Sequence, residues 1–470
     1  MDEIEVEPSR SIVSPGAMRG LQTPARSLVL TLLALGTWWS PLTAQGLGRG
    51  GGQGLNPPPP VQFELGYAAD LFKPVQGGLS RDPVALDNLD LLLHLSLNPL
   101  LGLRGTSLRV HVQSNRGSPV SSEVGSLQGV SNLEAPREWR LYEAWVGHQF
   151  GSPRLSILAG IYDVNSEFEV IPGAGDFLNS SFGFGPEYDL GGPEGPSTYP
   201  ATSLAARLRW DPSTTLYGLL GVSDGVPGDQ GNGRFSLSEK EGVLVSAEVG
   251  YARALTDVAS VSVAEAQPWG RGRRAAAQGG TVGGPVMRGT RRQIGRGRQI
   301  VDVSAKLAFG GWAYTRGLDP WDPSDTVSRS WGIYVLAEKL LAQEADATGS
   351  LSGFVRAGLA EDRVNQLGLA AAGGLVYRGL LPGRPDDMAG LGMAYARNGD
   401  PFLRFQRLEG YLLGESETVV ELTYRTELGS VFLLQPNLQW IRNPGMDPDV
   451  GDALVLGLRL ALLLEYPGSG

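Results

Sequence analysis

The stretch Leu456–Leu464, LGLRLALLL, puts leucine at 456, 458, 460, 462 and 464 and sets Gly457, Arg459 and Ala461 among the residues between them. A period of two sends successive side chains to opposite faces of a strand. One face is therefore all leucine while the other carries an arginine. Five leucines in nine residues do not make a hydrated face. A lipid-facing barrel strand, which crosses the hydrocarbon in about 9–11 residues, has this pattern.

The pattern recurs through the chain. Val420, Leu422 and Tyr424 oppose Glu421, Thr423 and Arg425, and Leu434, Leu438 and Trp440 oppose Gln435, Asn437 and Gln439. Val301, Val303, Ala305, Leu307 and Phe309 oppose Asp302, Ser304 and Lys306, and Leu204, Ala206, Leu208 and Trp210 oppose Arg207 and Arg209. Near the start, Val61, Phe63, Leu65 and Tyr67 alternate with Gln62, Glu64 and Gly66, and leucines fill every odd position from 89 to 97, with Leu92 interrupting the polar face. Alternation by itself also fits a soluble sandwich. Charge on the polar face of strand after strand is what a water-filled lumen requires. The expected fold is all-β: a transmembrane antiparallel β-barrel of about sixteen strands with a water-filled lumen, over residues 61–466. Phe150, Tyr162, Trp210, Tyr251, Trp312, Tyr314, Trp331, Tyr395, Trp440 and Tyr466 are expected in its interfacial aromatic girdles.

Composition agrees with many turns and strands. The 470 residues include 67 glycines, 32 prolines and no cysteine, with a net charge of −10. No disulfide or thiolate chemistry is possible, and the acidic balance speaks against general nucleic-acid binding. The sustained apolar run is Ser27 to Trp39, behind Arg19 and Arg26. It is too short to span a bilayer and suits a signal peptide over 1–44, with cleavage after Ala44. The acidic residues before it point to Met18 as the start. Residues 45–60 read as a Gly/Pro-rich linker. Residues 267–299 carry eight arginines and no acidic residue among many glycines. They read as a basic loop insertion, with an anionic envelope polymer or lipid as its candidate partner.

The stretch Leu155–Leu190 begins as a strand and then becomes a loop rich in Asn, Ser, Gly, Phe and acidic residues, DVNSEFEVIPGAGDFLNSSFGFGPEYDL. Its polar and aromatic groups suit a polyhydroxylated ligand. Together with LYEAW at Leu141–Trp145 and YPATSLAARLRW at Tyr199–Trp210, the run GIYDVNSEFEVIPGAGDFLNSSFGFGPE from Gly160 strongly resembles the carbohydrate-selective outer-membrane porins of the OprB family. GLLPGRPDDMAGLGMAYAR from Gly379, ETVVELTYRTELGSVFLLQPNLQWIRNPG from Glu417 and DALVLGLRLAL from Asp452 resemble the same family in the same order. The resemblance implies an outer-membrane porin for passive diffusion of small carbohydrates into the periplasm, and a loop folded inward to narrow it. A non-selective porin or a structural envelope barrel is the alternative.

Enzymatic motifs are lacking. His94, His111 and His148 have no metal-ligand spacing, and no GxSxG is present. Asp319, Asp322 and Asp325, like Asp447, Asp449 and Asp452, fit solvated loops better than calcium sites. No enzyme activity, cofactor or metal is expected. The pore-lining candidates are Glu143, Arg207, Arg209, Lys306, Glu421, Arg425 and Arg459 on the polar strand faces, and Asp163, Asn165, Glu167, Glu169 and Phe177 in the loop. Small saccharides and outer-membrane lipid are the expected partners of a monomer or trimer.

Overall fold

The computed structural model describes residues 60–151, 154–228, 242–254, 291–293, 298–300, 303–344, 349–429 and 431–466. The expected signal peptide over 1–44, residues 45–59 of the expected linker, and most of the basic insertion lie outside them. Within the insertion, Arg291–Gln293 pairs antiparallel with Arg298–Ile300.

Sixteen strands form one closed antiparallel barrel. They are Val61–Gln76 (β1), Val84–Ser96 (β2), Thr106–Gly117 (β3), Trp139–Gln149 (β4), Arg154–Tyr162 (β5), Ser203–Asp211 (β6), Leu216–Asp224 (β7) and Val243–Ala254 (β8) in the first half. The second half has Val303–Leu318 (β9), Ser328–Gln343 (β10), Ser350–Ala360 (β11), Leu367–Arg378 (β12), Met388–Asn398 (β13), Ser416–Leu428 (β14), Phe432–Arg442 (β15) and Ala453–Tyr466 (β16). Each strand pairs with its neighbours in sequence, and β1 closes on β16 with Phe63 opposite Tyr466 and Asp70 opposite Arg459. Closure leaves no edge with unpaired backbone groups, which is the condition for crossing lipid with strands.

The alternation has a plain outcome. In β16, Leu456, Leu460 and Leu464 are 49%, 52% and 47% exposed, while Val455, Arg459 and Ala461 at alternate positions are buried. Large apolar side chains stand outside and polar ones inside, the reverse of a soluble fold, because lipid is the outer solvent. A bulge in β4 lets one residue of β3 face two: His111 pairs with Glu143 and Val112 with Leu141. Tyr142 and Glu143 are consecutive and both buried as a result.

Three girdle expectations need correction. Phe150, Trp210, Tyr251, Trp331, Trp440 and Tyr466 are exposed, but Tyr162, Trp312 and Tyr314 are buried. Their strands place them one position off the apolar stripe, so they point inward with the lumen set. Strand β2 also ends at Ser96, because Leu97–Leu101 turns as a short helix that closes on Gly102 in the left-handed conformation.

Both ends of the barrel chain, Val61 and Tyr466, lie at the end that carries the turns at 97–105, 212–215 and 429–431. The opposite end carries 118–138, 163–202 and 399–415. Short turns and termini face the periplasm in outer-membrane barrels and long loops face outward. Two of the long connections, 118–138 and 163–202, fold into the barrel and supply much of its buried core: Val120, Val124, Val130 and Leu133 from one, Phe168, Ile171, Phe177, Phe182 and Tyr188 from the other.

Candidate channel constriction

The inward loop begins where β5 ends. Asp163 accepts the Asn165 amide at 2.9 Å and the Tyr142 hydroxyl at 2.6 Å, which caps the short turn Val164–Ser166 and fixes it to β4. Ser197 donates its hydroxyl to the Tyr162 carbonyl at 2.7 Å, and the Val164 amide donates to the Ser197 carbonyl at 2.8 Å. The two ends of the loop are thus tied together, and what lies between them is thrown into the lumen.

Contacts with the wall then follow one another across the barrel. Glu167 accepts Arg207 Nε at 2.5 Å and the Tyr162 hydroxyl at 2.7 Å, and Arg209 NH1 lies 3.8 Å away. Arg209 is mainly held by Asp211, 2.9 Å from its NH2, and lies 5.0 Å from the centre of the Tyr217 ring. Lys306 donates to the Val170 carbonyl at 2.5 Å. The Gly173 amide reaches Glu338 at 3.1 Å. Asp176 takes Arg378 at 2.8 Å and Arg425 at 3.2 Å. Glu421 accepts the amides of Leu178 and Asn179 at 2.7 and 2.9 Å, and Asn437 Nδ2 at 2.6 Å. One loop therefore touches β6, β9, β10, β12 and β14, which holds it across the lumen and not against one side.

The strongest grip is at β11. Arg356 donates to both oxygens of Glu187, at 2.5 and 3.2 Å, and pairs with Glu169 as well. Glu169 has φ 56°, the left-handed region, and its amide donates to Glu248 at 2.8 Å. Glu248 also accepts the hydroxyls of Tyr217 and Tyr334, each at 2.7 Å. Close approach requires glycine here: a Cβ on Gly358 would stand 1.6 Å from Glu187 Oε1. With two carboxylates on one guanidinium and Glu248 close by, burial pushes the Glu169 carboxyl up to about 8 against the pull of Arg356, with Glu187 and Glu248 adding to the rise. Beside this clasp, Tyr188 stacks on Trp312 with centroids 4.9 Å apart, and Phe177 stacks on Phe182 at 4.5 Å.

The second inward loop, 118–138, carries none of the pore-lining candidates. Glu417 of β14 accepts the amides of Leu127 and Gln128 at 2.9 and 3.1 Å and the Ser126 hydroxyl at 2.8 Å. Asp70 of β1 accepts the Ser131 hydroxyl at 2.6 Å and is held by both Arg459 Nε and NH2 at 2.7 Å, while Arg459 NH2 also donates to Asn132 at 2.8 Å. Within the loop, Glu134 binds the Ser121 hydroxyl and the amides of Ser121 and Ser131, and burial pushes its carboxyl up to about 7. The two loops join through the Asn132 amide to the Leu178 carbonyl, 2.7 Å, and the Ser180 amide to the Gly129 carbonyl, 2.9 Å. The available signal in the sequence was length. This connection is long for a hairpin and holds Ser131, Asn132 and Glu134 together, next to strands whose other turns are short.

All twelve candidates lie on the lumen side or in the inward loop, but they are not alike. Glu143 pairs with Arg109 at 2.9 Å in the wall of β3 and β4, away from the Arg356 clasp. Asn165 bonds the Phe168 carbonyl at 3.1 Å, within its own turn. Eleven of the twelve are buried, and Lys306 is half-buried. The acidic loops at Asp322 and Asp447 cap their own turns, accepting the amides of Ser324 and Asp449 at 2.9 Å each.

A family profile described as "Carbohydrate-selective porin, OprB family" matches residues 80–462. The chain belongs to the OprB family. Porin B of Pseudomonas aeruginosa is 24% identical over 426 residues, covering 85% of this chain and 86% of that protein. The high-pH structure of Pseudomonas putida OprB superposes with a TM-score of 0.68 at 19% identity, covering 86% of this chain and 94% of that one. As an OprB-family porin, the protein resides in the outer membrane and serves carbohydrate uptake. Two loops, where the sequence leads one to expect one, fold into the lumen of this OprB-family barrel.

Proposed function

We propose that small saccharides, monosaccharides or short oligosaccharides, diffuse passively to the periplasm past the two inward loops, and that most of the pore-lining candidates act by holding those loops at a set aperture. The observation that carries this reading is the chain of bonds from Glu167 to Glu187, which ties one loop to strands around the barrel. Arg207, Arg425, Arg459 and Glu421 each share at least one hydrogen bond with a loop atom. Lys306, half-buried on the inward face, is the candidate placed to meet a passing solute. Sugar passage needs contacts weak enough to release the solute, and a shaped aperture with few charged contacts meets that need.

Liposome swelling with glucose, a disaccharide and an uncharged amino acid of similar size tests the reading. A sugar-preferring channel admits glucose faster than the amino acid, whereas equal rates mean a general porin. In planar bilayers, Arg207→Ala with Arg209→Ala should change single-channel conductance and sugar block, since it frees Glu167 from its partner. Unchanged values for both would remove this anchor from the constriction.

A further inference from the structure

The outer wall of the barrel is not evenly covered. Trp210, Gly218, Val249 and Phe309 form one row across β6 to β9 by strand register, and Ala247 pairs with Gly311 in the next. Trp210, Val249 and Phe309 are 51%, 62% and 56% exposed and stand up from the surface, while the small residues between them leave a floor. The result is an apolar groove of about 500 Å³. A Cβ on Gly218 would meet nothing within 4 Å, so the space is real and lies outside the backbone.

Two rows nearer the periplasmic end, about 13 Å along the strands, Ala305 pairs with Arg253 on one side and Lys339 on the other. Both are exposed on the outward face of their strands. Tyr251 and Leu307, paired with each other, lie between this row and the groove. Two cations flanking one alanine on the outer wall, just beyond an aromatic residue, stand at the depth of the headgroups. Basic side chains there attract anionic lipid phosphate, while the groove above is lined by side chains that only an acyl chain would favour.

We propose that the outer wall of β6–β10 holds one phospholipid of the periplasmic leaflet, its phosphate between Arg253 and Lys339 and one acyl chain laid over Gly218 and Gly311. The charge of the headgroup row selects an acidic phospholipid over a zwitterionic one, and the groove selects for a lipid at this place on the barrel circumference. Trp210, Val249, Phe309 and both cations face outward, away from the inward loops.

Native mass spectrometry of the full chain in detergent, titrated with phosphatidylglycerol or phosphatidylethanolamine, tests this. The unaltered protein should retain one phospholipid and favour phosphatidylglycerol. Arg253→Gln with Lys339→Gln should reduce that preference about tenfold. Gly218→Phe should abolish retention of both lipids, with heat-modifiable gel mobility and sugar conductance unchanged. Retention equal to that of the unaltered protein in both variants overturns the site. So does equal retention of the two lipids by the unaltered protein. A shift in oligomeric state on Gly218→Phe without loss of lipid would make the groove a contact between copies and overturn the proposal.

Discussion

The two inward loops do the same mechanical job by different chemistry. Loop 163–202 is held mostly by ion pairs, with Glu167 on Arg207, Glu187 on Arg356, and Asp176 on Arg378 and Arg425. Loop 118–138 is held mostly by carboxylates that accept neutral donors: Glu417 takes two backbone amides and a hydroxyl, and Asp70 takes the hydroxyl of Ser131. The difference matters when one partner is lost. Removing a guanidinium strands buried charge, which costs about 3–5 kcal/mol. Removing a carboxylate strands backbone N–H groups, which cost about 1–3 kcal/mol each and can turn toward water in a hydrated lumen. The ion-paired loop is therefore the more brittle of the two, and it crosses more of the pore.

Arg356→Ala should have the largest effect. It leaves Glu187 buried without its cation and takes away the donor beside Glu169, so the loop should leave the wall, single-channel conductance should rise and sugar preference should fall. An unchanged conductance would show that the clasp does not set the aperture. Arg356→Lys cannot reach both Glu187 oxygens with planar geometry and should fall between the two. Glu417→Gln should have a smaller effect, because the amide oxygen can still accept two of its four donors, which include the Gly445 amide. Conductance should change little while proteolysis within 118–138 speeds up, and a conductance change as large as that of Arg356→Ala would erase the contrast between the loops.

The clasp also predicts a pH dependence. Glu169 has its carboxyl pushed up to about 8 by burial, so the seated loop holds a proton that a released loop would give up near the ordinary carboxylate range. The seated state binds more protons, and its advantage is full at low pH and declines as pH rises to about 8. Above about pH 8 conductance should fluctuate more, and Glu169→Gln, which keeps a neutral side chain, should flatten that change. A fluctuation that persists unaltered in Glu169→Gln would place the titration elsewhere. Lys306→Gln should have the smallest effect. It removes one bond, to the Val170 carbonyl at 2.5 Å, and one inward charge. Ion selectivity measured by reversal potential should shift slightly toward cations with conductance nearly intact. A large conductance change would make Lys306 an anchor like the arginines.

Reading inward from the sequence worked best where one rule repeats. The parity of Leu456 to Leu464 already assigns Arg459 to the lumen, and the parity of Val303 to Phe309 assigns Lys306 there. The same parity, carried on by a few residues, also places Trp312 and Tyr314 inside, so their assignment to the girdle came from residue type overriding position. Loop 163–202 was legible as an inward loop through family resemblance, but its acids were read as a lining. Which cation each acid meets depends on residues far apart in the chain, such as Glu187 and Arg356 or Asp176 and Arg425. Nothing local in the sequence encodes those pairs.

The sequence by itself determined the wall. Alternation at a period of two, repeated with charge on one face and leucine on the other, leaves a closed membrane barrel as the arrangement that satisfies both faces and every backbone hydrogen bond. The tertiary structure alone decided what fills the barrel. Once the wall closes, side chains from opposite strands face one space, and the loops that enter it are placed by whichever buried charges and amides they can satisfy. That is a matter of three-dimensional reach, so Glu417 and Arg356, unremarkable in their own strands, become the residues that hold the two loops.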